Sequence, residues 1–298
     1  MAETDLKEYI IDIAVNMARL MSRIVNKEID KVVKKEGNDV ITKEFEPYLY
    51  AAILLAFSRK KVDESSVAKS LVTANMSADN GYLLKLSASL NLGEKLAYGP
   101  ATYFLRGVNV EPDADRLCGV VSALGIKPDK EFASEIITLY KEMESKEEQH
   151  STIPGGFDML IIPLFEALGK MTSEEVKRLY EIEGFADLIK EGFMSYLLAA
   201  GIAYYTGWTI KLSGKEKNRQ MIKEMVEAAN ISPEDKMLDY LINALNLDET
   251  PPLAYIVAFY FLKALSIEPD MDKVTDVVRT IGIDPDLSIV GYILTILT

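Results

Sequence analysis

The sequence predicts an all-α protein built as a tandem duplication of a helical domain. Apolar residues recur at helical spacing along the chain, and the breaks between periodic stretches carry helix-capping residues. A long pattern also occurs twice with identical internal spacing. Its two copies read Tyr103-Phe104-Leu105, Val110-Glu111-Pro112-Asp113 and Leu124-Gly125-Ile126, and then Tyr260-Phe261-Leu262, Ile267-Glu268-Pro269-Asp270 and Ile281-Gly282-Ile283. A repeat at this spacing indicates duplicated helical modules.

The predicted boundary between the two domains falls near residue 148. The first domain, 1–148, holds a helical lead over 4–46 and two units over 47–92 and 99–142. The second, 149–298, holds a lead over 157–192 and units over 196–247 and 254–298. In the four units, equivalent residues are expected to end the second helix: Asn75, Gly125, Asn230 and Gly282.

Composition and charge narrow the functional classes. The 298 residues carry a formal net charge of −13, which disfavours broad nucleic-acid binding and suits basic protein partners. The acidic N-terminus does not resemble a signal peptide, so a cytoplasmic location is expected. Residues Phe193 to Ile210 carry no charge, but Thr206-Gly207 interrupts the run, so we expect a buried helix and a turn rather than a membrane span.

The first lead helix carries a heptad-like seam formed by Leu6, Ile10, Ile13, Met17, Leu20 and Ile24. This spacing is typical of a coiled coil or of a partner-docking helix. It also fits an amphipathic helix packed on its own domain, which is the interpretation we favour.

Catalytic and metal-binding signatures are weak. The single histidine, His150, falls in the predicted linker, and the single cysteine, Cys118, borders an apolar stripe, so the usual zinc sites are excluded. The acidic pairs Asp113/Asp115 and Asp270/Asp272 lie at predicted helix starts. We interpret them as helix caps rather than as a cation site or an acid–base pair. No enzyme activity, metal or cofactor is predicted.

Basic and aromatic residues suggest a partner-binding surface in two equivalent turns, one in the first unit and one in the third. The candidates are Arg59, Lys60, Lys61, Tyr204, Tyr205, Trp208, Lys211, Lys215, Lys217 and Arg219. Aromatic residues beside cations are typical of interface anchors. The alternatives are solvated helix ends and aromatics that cap the core.

The repeated unit resembles the N-terminal dimerisation domain of the acidic stalk proteins of archaeal and eukaryotic ribosomes. The residues that carry the resemblance are Tyr48-Leu49-Tyr50-Ala51-Ala52-Ile53-Leu54-Leu55, Leu124-Gly125-Ile126-Lys127-Pro128-Asp129 and Ala228-Ala229-Asn230-Ile231-Ser232-Pro233-Glu234. In that family the module dimerises and the dimer grips a helix of the stalk base protein. The sequence shows no acidic hinge or GTPase-recruiting tail, so that activity is not expected.

The resemblance implies that adjacent units pair within the chain, units one and two as one pseudo-dimer and units three and four as another, with the lead helices in the place of the gripped helix. The implied pairing residues are Tyr48, Leu49, Ala52, Tyr103, Phe104, Tyr196, Leu197, Ala200, Tyr260 and Phe261.

The function expected from the sequence is therefore that of a non-catalytic adaptor associated with the ribosome or with translation. Its partner would be a ribosomal protein or subunit, with limited local RNA contact and no membrane; a homodimer is a further option. The alternative is a carrier or sensor of an apolar ligand, with a cavity among Tyr204, Trp208, Tyr255 and Phe259. A carboxylate-only enzyme ranks third.

Overall fold

A computed structural model confirms the all-α class, because the residues it describes form α-helices and a short 3₁₀ helix and contain no strand. The structure describes residues 3–37, 44–57, 62–78, 80–90, 92–145, 158–181, 184–188, 192–205, 215–244 and 253–298. The two predicted leads hold long helices, α1 over Glu3–Glu36 and α8 over Asp158–Tyr180, and the short helix α9 spans Phe185–Leu188. Of the predicted linker, 141–156, the first five residues belong to a helix and 146–156 lie outside the described residues.

The other described α-helices form four modules of three helices, and in each module every helix packs against the other two. Module 1 holds α2 (Phe45–Phe57), α3 (Glu64–Thr73) and α4 (Gly81–Ser89). Module 2 follows the 3₁₀ helix Glu94–Ala97 and holds α5 (Tyr98–Gly107), α6 (Ala114–Ala123) and α7 (Lys130–Ser145). Module 3 holds α10 (Met194–Tyr205), α11 (Lys215–Ala228) and α12 (Asp235–Ala244). Module 4 holds α13 (Leu253–Ala264), α14 (Met271–Thr280) and α15 (Leu287–Leu297).

The second helix of each module ends as the sequence predicts. Asn75, Gly125, Asn230 and Gly282 have φ values of 57°, 77°, 57° and 75°. Each leads into a hydrogen bond that closes the helix; in module 2 the N–H of Ile126 donates to the carbonyl of Val121 at 3.2 Å. Glycine and asparagine are the residues that adopt this left-handed conformation at least cost, which explains their recurrence at this position.

The predicted capping role of the acidic pairs is confirmed for Asp113 and Asp270. The Oδ1 atom of each accepts a hydrogen bond from a backbone N–H in the first helical turn, that of Arg116 and that of Lys273, both at 2.8 Å. Asp63 caps α3 in the same way through the N–H of Ser66 at 2.9 Å. These bonds satisfy helix-start N–H groups that have no partner within the helix.

A tyrosine near the start of the first helix ties that helix to the third. The hydroxyl oxygens of Tyr98, Tyr196 and Tyr255 accept from the backbone N–H groups of Asp129, Glu234 and Asp286 at 2.7, 2.6 and 2.9 Å. In module 1 the residue 31 positions after Tyr48, the separation seen in modules 2 and 4, is Asp79, which lies outside the described residues. The modules thus share their capping and bonding pattern, as a duplication would produce; the duplication itself stays a prediction.

The first compact unit combines modules 2 and 3. It is drawn from Met1–Leu20, Ala97–Gln149 and Phe165–Thr250. Within it α5 packs against α10 and α6 against α11. The second pair crosses closely at Gly119, where an added Cβ would lie 3.0 Å from the Cβ of Ala228.

The second compact unit combines modules 1 and 4. It is drawn from Met21–Leu96, His150–Leu164 and Pro251–Thr298, and in it α2 packs against α13 and α3 against α14. The hydroxyls of Thr73 and Thr280 are hydrogen bonded at 2.8 Å. Each threonine stands two residues before the left-handed residue that ends its helix, so equivalent positions meet. Such a contact is expected where two related modules pair about an approximate two-fold axis.

These units correct the predicted division at residue 148 and the predicted pairing of adjacent modules. Both predictions assumed that neighbours in sequence pair in space. The described contacts instead pair module 2 with module 3 and module 1 with module 4. The side chains at the crossings provide a physical reason, because glycine meets alanine in one unit and threonine meets threonine in the other.

A double-mutant cycle at Gly119 and Ala228 tests the pairing of modules 2 and 3. Gly119→Leu should lower the free energy of unfolding by about 1–3 kcal/mol, because the crossing has no room for the side chain. Ala228→Gly alone should cost about 1 kcal/mol of helix propensity. Combined, the two changes should cost less than their sum, with a coupling of about 1 kcal/mol in urea unfolding.

The matched control for this cycle is Ala264→Gly, which also changes the last residue of a helix, α13 of the second unit. It carries a similar propensity cost and lies in the other compact unit from Gly119, so its effect should add to that of Gly119→Leu. Equal additivity for the Ala228 and Ala264 variants would contradict the observed pairing.

Candidate functional site

The lead helix α1 is held within the chain. The seam residues from Ile10 to Ile24 are at most 8% exposed. In the first unit the Tyr9 hydroxyl donates to the carbonyl oxygen of Gly107, at the end of α5, with 2.9 Å between the oxygens. On the other side, a Cβ added to Gly169 of α8 would lie 3.0 Å from the Cβ of Ala14. The favoured interpretation of the seam, packing on its own chain, is confirmed for these residues.

Both paired first helices of the first unit, α5 and α10, approach this part of α1. A Cβ added to Gly107 would lie 2.9 Å from Cδ1 of Leu198 in α10 and 3.3 Å from Cδ1 of Ile13 in α1. The end of α5 therefore meets both α1 and α10 at a residue that has no side chain. Close approach of three helices at one point requires such a small residue.

The residues predicted to mediate pairing lie on the first helices of the four modules, where pairing does occur. All of them are buried except Tyr260, which is partly exposed. Tyr103 packs edge-on against Tyr140 with ring centroids 6.0 Å apart, and burial is the main cause that raises the pKa of Tyr103 to about 12. The first helices pack as α5 with α10 and as α2 with α13, whereas the prediction paired module 1 with module 2 and module 3 with module 4.

Only part of the predicted basic and aromatic surface can be placed. Arg59, Lys60, Lys61, Trp208 and Lys211 lie outside the described residues, and of Tyr204 and Tyr205 the structure gives the backbone at the end of α10. Lys215 and Lys217 are exposed at the start of α11. They are the predicted cations that the described surface offers to a partner.

Arg219 has a structural role instead. Its Nε atom lies 2.9 Å from Oδ1 of Asp239, and its Nη2 atom lies 2.6 Å from Oδ1 of Asp235. Both carboxylates belong to α12, so the guanidinium ties α11 to α12. From the sequence, Arg219 was assigned to the binding surface because it lies in a cluster of basic residues. Asp235 and Asp239 are 16 and 20 residues away in sequence, so their ion pairs with Arg219 become visible only in the fold.

A buried carboxylate in the second unit was missed by the sequence analysis. Glu28 of α1 is 6% exposed, and its Oε2 atom lies 2.6 Å from Nζ of Lys95 in the 3₁₀ helix. Its Oε1 atom lies 3.0 Å from Nζ of Lys31, a member of the basic stretch Lys31 to Lys35. Both oxygens are thus neutralised by ammonium groups, an arrangement suited to holding two segments together.

The described part of the chain shows neither a cluster of metal ligands nor an activated thiol. No group of three or more His, Cys, Asp or Glu side chains there could hold a metal ion. Cys118 is half-buried in α6, and its pKa is raised first by burial and then by the nearby Asp115 carboxylate. A raised pKa reduces the thiolate fraction, so this position does not activate a nucleophile.

A small apolar cavity lies in the first unit between α1, α8 and α10. Its volume is about 30 Å³, and its lining includes Ile10, Ile13, Met17, Met194 and Leu197. This is room for a water molecule, far below the several hundred Å³ of a small-molecule site. Of the residues predicted to line a ligand cavity, Tyr255 and Phe259 are each 1% exposed in the packed core of the second unit.

An exposed apolar surface lies on module 4. Leu287, Tyr292 and Ile296 of α15 are 59%, 52% and 39% exposed, and Met271 at the start of α14 is 39% exposed. Exposed large apolar side chains in one module are the kind of feature that marks interaction sites.

Comparison with protein-family models, curated proteins and solved structures gave no match to this chain. Among the helices that the structure describes, none has both the length and the apolar character needed to cross a membrane.

The capping assignment of Asp270 predicts a specific acid dependence of stability. The Lys273 ammonium and then the Lys273 N–H lower the pKa of this carboxyl. A group with a lowered folded-state pKa stabilises the fold above its unfolded pKa of about 3.9, and that stability is lost as the pH falls through the lowered value. Asp270→Ala should cost about 1 kcal/mol at neutral pH and flatten the stability profile below about pH 4.

Urea unfolding at several pH values measures both effects. The control is Asp284→Ala, an exposed carboxylate of the same module for which the described residues show no cation partner. It should change stability by less than about 0.5 kcal/mol. Equal losses for the two variants would contradict the capping assignment.

Proposed function

We propose that this chain is a non-catalytic protein-binding adaptor that acts with the ribosome or the translation machinery in the cytoplasm. The observation that carries the proposal is the pairing of three-helix modules around a long helix. In the first unit α5 and α10 pack together, and α1 lies against both of them. The acidic stalk proteins, which the module resembles in sequence, use a paired module to grip a helix of another protein.

The physical basis of such a grip supports the comparison. Two apolar first helices pack side by side and leave an apolar groove, into which the apolar residues of a third helix fit. The alternation of Ile10, Ile13 and Met17 gives α1 the spacing that a groove of this kind accepts, and all three side chains are buried. Here the third helix belongs to the same chain, so each module pair is proposed to be self-complemented.

The proposed partner is a ribosomal protein or subunit with a basic surface. A chain of net charge −13 is attracted to basic proteins and is repelled by bare nucleic acid. Any RNA contact is therefore proposed to be local, through exposed cations such as Lys215 and Lys217.

Sedimentation of the tagged protein through a sucrose gradient of native lysate tests the association. The wild-type chain should sediment with a ribosomal subunit in growth or in starvation. The variant Lys215→Glu/Lys217→Glu should move toward the top of the gradient, because its carboxylates repel the RNA phosphates that the two lysines are proposed to contact.

The matched control is Lys85→Glu/Lys127→Glu, which changes the net charge equally at exposed lysines elsewhere. It should sediment like the wild type. Recovery of the wild-type protein at the top of the gradient in both conditions would contradict the ribosomal association.

A further inference from the structure

Helix α15 presents a charge-free face to solvent in the second unit. The helix carries no Asp, Glu, Lys or Arg from Leu287 to Leu297, and its buried side holds Val290 and Ile293. Met271 lies beside the exposed side, because a Cβ added to Gly291 would be 3.5 Å from its Cε atom. We define the α15 face as the four exposed apolar side chains Met271, Leu287, Tyr292 and Ile296, which are 39–59% exposed. Tyr292 and Ile296 lie one turn apart along one edge of the exposed side of α15, Leu287 lies at the other edge, and Ser288 and Thr295 lie between them.

The three-helix module does not require large apolar residues at two of these four positions. Tyr98 and Tyr255 bond to Asp129 and Asp286 at the same separation of 31 residues, which aligns α7 with α15. In that alignment, Leu287 and Tyr292 correspond to Lys130 and Glu135 of α7. The same three-helix module therefore accommodates charged residues at these positions. Their replacement by large apolar residues in module 4 points to a surface that is covered by something else.

Acidic side chains border one end of the α15 face. Asp272 follows Met271, and Asp284 and Asp286 precede Leu287. The described cations of module 4 are engaged elsewhere, since Lys263, Lys273 and Arg279 pair with Glu268, Asp270 and Asp276. No described Lys or Arg forms an ion pair with Asp272 or Asp284.

Asp286 is ionised at neutral pH. Its Oδ1 atom accepts from both the N–H and the hydroxyl of Ser288, at 2.8 and 2.6 Å, and these bonds lower its pKa. The border of the face is therefore anionic as well as uncompensated.

The negative charge beside the α15 face determines which kind of partner can bind there. A second copy of the chain would bring the same carboxylates and another −13 charges to the contact, so repulsion opposes it. A cytoplasmic membrane surface is itself anionic and would also be repelled. A helix with an apolar stripe flanked by Lys or Arg complements both the exposed apolar side chains and the acidic border.

We propose that the α15 face docks an amphipathic helix of a partner protein, apolar on the side that contacts Leu287, Tyr292 and Ile296 and basic where it meets Asp272 and Asp284. This rests on the proposed adaptor class but not on the association with ribosomes. A negative gradient experiment therefore leaves the docking face standing, and a negative docking experiment leaves the gradient result standing.

Binding of a defined peptide to the full-length chain tests the proposal. The probe is a synthetic leucine–lysine helix of about 18 residues, which is five helical turns, with leucine at helical spacing. Fluorescence anisotropy should show a dissociation constant on the order of micromolar and weaker binding when salt is raised from about 50 to about 300 mM. The matched leucine–glutamate peptide should not bind.

Leu287→Lys/Tyr292→Glu places the residues of α7 on the α15 face without changing the net charge. It should weaken the binding of the leucine–lysine peptide at least about tenfold, since it removes two exposed anchors. The control Ser134→Lys/Thr138→Glu adds the same charges to the exposed side of α7 and should stay within about twofold of the wild type. Circular dichroism should show unchanged helix content for both variants, because all four positions are exposed.

Four results would overturn the proposal. The first is absent binding of the leucine–lysine peptide. The second is equal binding by both double variants, which would mean that the peptide responds to the acidic surface as a whole. The third is a wild-type dimer in light scattering that Leu287→Lys/Tyr292→Glu converts to a monomer, because a second copy would then cover the face. The fourth is binding of wild-type protein to anionic phosphatidylserine vesicles that the same variant abolishes.

Discussion

The packing of one module's first helix against that of another module is the interaction on which both compact units depend. In α2 every residue from Tyr48 to Ala56 is buried, and in α13 every residue from Ala254 to Phe259 is buried. A helix that is apolar on all sides cannot be covered by the two other helices of its own module. Each buried leucine or isoleucine contributes about 1.5–3 kcal/mol when it leaves water. Pairing is therefore part of folding, because a single module would leave one side of its first helix exposed to water.

The local structure could be predicted from the sequence because its causes are local. Asp113 caps the start of a helix by accepting a hydrogen bond from a backbone N–H three residues later, and Gly125 ends the helix through its left-handed conformation. Both effects act within a few residues of the chain, so both were predicted correctly from the sequence. The choice of partner module could not be predicted in the same way. All four modules end their second helix at a left-handed asparagine or glycine, and this shared pattern gives no preference between adjacent and distant partners.

A signal for the pairing was nevertheless present in the second helices. Two of the four equivalent positions are threonine, Thr73 and Thr280, and two are alanine, Ala123 and Ala228. The threonines meet each other in one unit, so like residues mark the modules that pair. The α15 face was missed for a different reason. A helix without charge from Leu287 to Leu297 is expected from its sequence to be buried on all sides. The structure shows that it packs on one side and that Leu287 and Tyr292 are exposed.

The location of α1 changes how binding by this chain is understood. In the first unit its residues pack against both α5 and α10, so this part of the paired helices is covered by the chain itself. A partner protein must then use another surface unless α1 moves away. The exposed face of α15, with its acidic border, supplies such a surface in module 4. Pairing of the modules stabilises the fold, and the exposed α15 face is the surface proposed to bind a partner.

Intramolecular disulfide trapping tests the module pairing most directly. In a Cys118→Ser background, Thr73→Cys/Thr280→Cys should form a disulfide rapidly under mild oxidation, because the two threonine hydroxyls are 2.8 Å apart. Mobility in non-reducing gels and peptide mapping would detect it. The variant Thr73→Cys/Ala123→Cys, which places cysteine at the equivalent position of the adjacent module, should stay reduced. Cross-linking of Thr73→Cys to Ala123→Cys, with none to Thr280→Cys, would contradict this account.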